Sequence, residues 1–83
     1  MEYVLLMAGS ITHAQRMAAM LENRGIRGVI VRAPVGLDLR GCGYGVRVHR
    51  EKLDTAVEIL LRRGIGVRSV WEKTEDGWRE VVP

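Results

Sequence analysis

Tyr3 to Ala8 is apolar without interruption and stops at Gly9, the pattern of a central strand buried on both faces. After it the period changes. Ala14, Met17, Ala18 and Leu21 recur at helical spacing and define an amphipathic helix from about Ile11 to Arg24, with Gly25 placed to end it. Thr12 with Gln15 three residues on, or Ser10 just before, offers the N-cap. Ile26 to Arg32 holds the β-branched run Val29-Ile30-Val31, a second strand that Pro34 closes because proline cannot donate to a ladder. Tyr44 to His49 alternates, with Tyr44, Val46 and Val48 on one face and Arg47 and His49 on the other. From Glu51 to Arg63 the residues Leu53, Ala56, Val57, Leu60 and Leu61 form a second helical stripe that Gly64 ends, although neither His49 nor Arg50 is a capping residue. Val67 to Lys73 reads as a fourth strand, and Asp76-Gly77 as a type I′ turn into a last strand, Trp78 to Val82.

This order, βαββαβ plus a hairpin strand, predicts an α+β fold: a ferredoxin-like sandwich whose antiparallel sheet carries both helices on one face. A weak internal repeat agrees with two βαβ halves, since Tyr3 and Tyr44 each open a strand and Arg24-Gly25-Ile26 is echoed by Arg63-Gly64-Ile65. The expected organisation is one domain over residues 1–83, with the C-terminal hairpin at 74–83. In that topology the first and third strands are central neighbours and the first and second run the same way. The sheet face away from the helices would carry half of the first strand's apolar side chains, which calls for a homodimer across it or a cover formed by Trp78 to Val82.

A chain of 83 residues supports one core. Its 47% hydrophobic and 28% charged residues exclude wholesale disorder, and the absence of phenylalanine leaves the core to aliphatics and methionine. The net charge of +3 is spread along the chain without a basic run, which fits weak attraction to anions and selects none. One cysteine forms no intrachain disulfide, and the N-terminus has no secretory pattern, so a cytoplasmic protein is expected. The Tyr3 to Ala8 run falls far short of the roughly 20 residues that span a bilayer. His13, Cys42 and His49 match no zinc spacing, and neither a Ser-His-Asp signature nor a phosphate loop is present, so no cofactor is expected.

The candidate chemistry lies in the loop from Ala33 to Gly43. Cys42 is the only cysteine, with Arg40 two residues before it and Gly41 and Gly43 on either side. Nearby cations and helix N-termini favour the thiolate, which is the nucleophile, and glycines leave a sulfur uncovered. The predicted topology opens this loop at the same end as the turn after the first strand, beside Ser10, Thr12 and His13. Each of these residues also has a plain reading: Cys42 as a small buried hydrophobe, Ser10 or Thr12 as a cap, His13 as an exposed first-turn residue.

On these residues the chain resembles a family of small bacterial proteins described as selenium/sulfur carriers. The resemblance spans about Tyr3 to Trp71 and rests on Gly9-Ser10-Ile11-Thr12-His13-Ala14 after the opening strand, the Pro34 loop, and Cys42-Gly43 before an alternating strand. It departs from the family pattern where an arginine often follows the proline region and serines precede the cysteine; here Gly36 and Arg40-Gly41 stand. The resemblance implies a thiol that accepts sulfur or selenium from a donor such as a cysteine desulfurase and hands it on, which is carriage rather than catalysis. The competing reading is a ligand-binding or interaction module of the same fold, in which Cys42 has no role. RNA binding on the open sheet face is disfavoured, because Tyr3 and Tyr44 lie at strand starts and the central strands are otherwise aliphatic or charged.

Overall fold

The computed structural model describes residues 2–34 and 43–81; Arg40, Gly41 and Cys42 lie outside them. Along the chain run β1 (Tyr3–Ala8), α1 (Ile11–Glu22), β2 (Val29–Arg32), β3 (Tyr44–His49), a 3-10 turn (Arg50–Lys52), α2 (Leu53–Arg62), β4 (Val70–Thr74) and β5 (Gly77–Val81). The five strands form one antiparallel sheet in the order β2-β3-β1-β4-β5. The central place of β1, flanked by β3 and β4, is why its sequence is apolar at both parities.

Val4, Leu6 and Ala8 of β1, with Val46, Val48 and Val70 of its neighbours, pack against Ala14, Met17 and Leu21 of α1 and Ala56 and Leu60 of α2. Both helices therefore cover the same face. The other parity of β1, Tyr3, Leu5 and Met7, faces away from them, and Leu5 and Met7 are nonetheless buried. Leu53 and Val57 pack at the margin of the core, whereas Leu61, expected in the stripe, is 66% exposed. It lies one residue, about 100°, around the helix from Leu60, just beyond the arc the sheet covers.

Ser10 caps α1 rather than Thr12, its Oγ accepting from the His13 amide at 3.1 Å. No side chain caps α2, as its entry residues imply, and the 3-10 turn leads into it instead. The two helices end alike. Gly25 (φ +81°) and Gly64 (φ +69°) take left-handed backbone, and the amides of Ile26 and Ile65 reach back to the carbonyls of Leu21 and Leu60, each at 2.9 Å. This is the Schellman motif, with its isoleucine folded onto its leucine in the core. The sequence echo Arg-Gly-Ile is thus one stop signal used twice. It also shortens the second strand, because Ile26 belongs to the cap and pairing begins only at Val29.

At the C-terminus the hairpin forms, but its turn residues are Glu75 and Asp76, between paired Thr74 and Gly77. Among the described residues no non-glycine has positive φ, so the turn is not type I′; Gly77 (φ +140°) instead takes the unusual conformation after it. β5 does not cover the open face either. It lies beside β4 and widens the sheet by one strand.

The buried charge among the described residues is Glu72, at the same parity as Val70 and opposite Val4. Its carboxylate accepts from Arg50, at the end of β3, and from Arg79 on β5. Two guanidinium partners answer the desolvation of that carboxylate and tie three segments together. No helix among the described residues is long and apolar enough to cross a membrane.

Candidate functional site

Tyr44 pairs with Ala8 on one side and with Arg32 on the other. The ends of β1 and β2 and the start of β3 therefore meet at one end of the sheet. Beyond Arg32 the ladder runs one bond further, the Ala33 amide donating to the carbonyl of Gly43 at 2.9 Å. Gly43 is buried there, and Ala33 and Pro34 are half-buried. Residues 34 and 43, which bound the cysteine segment in the chain, thus leave the sheet at the end where β1 passes through Gly9 into the capped start of α1.

Beside that start is a cleft of about 530 Å³ lined by Ala8, Gly9, Ser10, His13, Gly66, Val67 and Arg68. Ser10 accepts two amides, His13 N–H on its Oγ and Ala14 N–H on its carbonyl at 3.0 Å. The Ile11 and Thr12 amides, which a helix cannot bond internally, remain at its positive end. His13 is half-buried, and its Nε2 stands 2.7 Å from the Gly66 carbonyl. A carbonyl can only accept, so Nε2 carries the proton and Nδ1 is the nitrogen left for other work. None of the lining residues is acidic, and the Arg68 guanidinium lies 3.6 Å from where a Cβ on Gly9 would sit. The amide end of α1 brings the positive pole of a helix dipole to this cleft.

Of the residues singled out in the sequence, Ser10 and His13 line the cleft, while Thr12 is exposed in the first turn and does not. Gly43 holds the base of the cysteine segment, and Arg40, Gly41 and Cys42 lie outside the described residues. Arg68 was not anticipated. Antiparallel pairing explains its place: the residues just before β4 must lie beside those just after β1, and the Arg68 amide donates to the Met7 carbonyl at 3.0 Å. Among the described residues no group of three or more His, Cys, Asp or Glu is arranged to hold a metal ion.

Over residues 2–72 the sequence matches the family described as "Putative Se/S carrier protein-like". The chain belongs to that family. The matched span contains Ser10, His13, Cys42, Gly43 and Arg68 and ends within β4, so that β5 lies outside it. No curated protein and no solved structure matches the chain.

Proposed function

We propose that the protein carries sulfur or selenium on the side chain of Cys42, as a persulfide or selenosulfide, and delivers it to a partner protein. The observation that carries this reading is membership of a selenium/sulfur carrier family over a span that includes the chain's only cysteine. The cleft at Ser10 and His13 supports it, since it lies at the amide end of α1, the base of the cysteine segment leaves the sheet at the same end, and the loaded group is an anion. Arg40 adds a positive charge within the segment, and Gly41 and Gly43 flank Cys42 in the sequence with no side chains of their own. Two helices on one face of a sheet in which β1 and β3 are central support a ferredoxin-like sandwich extended by β5.

Loading needs no external oxidant. The Cys42 thiolate attacks the terminal sulfur of a donor persulfide; the donor S–S bond breaks, the donor cysteine leaves as thiolate, and a new S–S bond forms on Cys42. A cysteine desulfurase has the required donor chemistry. Intact-protein mass measurement after incubation with a desulfurase and cysteine, or with a selenium donor, tests the reading. Wild type gains one chalcogen atom that a thiol reductant removes, and Cys42→Ser gains none; an unmodified wild type, or equal adducts on both, overturns it.

A further inference from the structure

The face of the sheet away from the helices gathers side chains that the sequence scatters. Register places Tyr3 and Leu5 of β1, Arg47 and His49 of β3, Trp71 and Lys73 of β4 and Trp78 of β5 on one surface. Leu5, only 3% exposed, floors a recess of about 370 Å³ between Glu2, Tyr3, Arg47, Lys73 and Trp78, within the range of small-ligand sites. The guanidinium of Arg47 lies 4.7 Å from the centre of the Tyr3 ring, and the Lys73 ammonium 5.2 Å from that of Trp78. The His49 ring also packs on Tyr3, the two ring centres 4.9 Å apart. Trp71 is pinned through its indole N–H, which donates to Ser69 Oγ at 2.9 Å.

The charges decide what such a surface takes. Among the described residues Arg47 and Lys73 pair with aromatic rings and with no carboxylate, whereas Arg62 and Arg79 each have one and Arg50 has two. Two acids flank these cations: Glu80 is on the edge strand opposite Trp71, and Glu2 lines the recess itself, its carboxylate 3.9 Å from the Arg50 guanidinium. A second copy of a chain of charge +3 would bring two more such cations to the same face. A polyanion with flat, stackable groups supplies both missing partners.

We propose that this open face binds single-stranded nucleic acid, with one base in the recess between the Arg47 guanidinium and the Trp78 ring and backbone phosphates on Arg47 and Lys73. The sequence disfavours RNA here because its two central strands lack aromatics in their middles. Register, however, brings Trp71 and Trp78 of the neighbouring strands onto this face, and aromatic and guanidinium planes on an exposed sheet are a general means of holding unpaired bases. The site uses neither Cys42 nor the cleft at Ser10, so it stands or falls independently of sulfur carriage.

Fluorescence anisotropy of short labelled oligo(U) and oligo(dT), titrated with the full chain at several salt concentrations, tests it. Two phosphate contacts predict a slope of log K against log salt of about −1.4. Arg47→Ala or Lys73→Ala each reduces that slope by about 0.7, and Trp78→Ala weakens binding at least about fivefold. Arg62→Ala, which removes the same charge from α2, leaves slope and affinity unchanged. Absence of binding, or equal weakening by Arg62→Ala, overturns the proposal. So does sedimentation showing a dimer that Trp78→Ala dissociates, since the face then serves a second copy.

Discussion

Ala33 and Gly43 close the base of the segment that carries Cys42, the amide of one donating to the carbonyl of the other at 2.9 Å. On the carrier reading, the segment beyond this tie presents its thiol to a donor protein. Iodoacetamide is therefore expected to alkylate Cys42 in the native protein, and Arg40→Ala to slow the reaction below pH 8 by removing a charge that favours the thiolate. Modification that waits for unfolding, followed by mass spectrometry in increasing denaturant, would make Cys42 a core residue and end the carrier reading.

The bond from His13 Nε2 to the Gly66 carbonyl joins the start of α1 to the connection before β4. His13→Ala is expected to lower stability in urea melts by about 1 kcal/mol, the net value of one such bond, and Ser10→Ala by about 0.5–2 kcal/mol through loss of the cap. Because His13 offers only Nδ1 to a partner, the carrier role assigns it a supporting place. His13→Ala should leave a protein that still accepts sulfur on Cys42, though more slowly; loss of all loading in a folded variant would make His13 indispensable.

Leu60 is fully buried between α2 and the sheet, while Val57 sits at the margin of the core. Leu60→Ala is expected to destabilise by about 2–5 kcal/mol, and Val57→Ala by less. Equal losses in denaturant melts would mean that the two positions are equally enclosed.

Glu72 is held by Arg50 and Arg79, whose side chains are 50% and 69% exposed. Exposure screens the arginines, so the loss on removing either falls below the about 3–5 kcal/mol of a fully buried pair. Arg50→Ala is expected to cost about 1–2 kcal/mol and Arg79→Ala less, because Arg79 is the more solvated. The double variant should lose more than the sum, since only then is the buried carboxylate left without a guanidinium. A thermal-melt double-mutant cycle that came out additive would show that the two act independently.

Both helices, β1, β3 and the hairpin were legible in the sequence because their signals are local. Periodicity, a serine before the first helix and Gly-Ile after each helix act within a few residues of where they stand. Boundaries slipped where one residue fitted two patterns. Ile26 reads as strand but closes the cap of α1, and Leu61 reads as core but misses the arc that the sheet covers. At the site, Ser10, His13 and Gly43 could be named in advance from the expected direction of β2, whereas Arg68 could not, since its place depends on the pairing of β4 with β1.

The amino-acid sequence alone determined the list of elements, their amphipathic faces and one cysteine between glycines. Register and strand order decided the rest, because a sheet joins residues by hydrogen bonds across the chain rather than along it. Glu72 found partners 22 residues before it and 7 after. A Cβ on Gly28 would meet the Val46 side chain of β3 at 2.6 Å, so any larger residue there forces a shift. Tyr3, Arg47, Lys73 and Trp78 became one surface only when four strands aligned, which no spacing along the chain records.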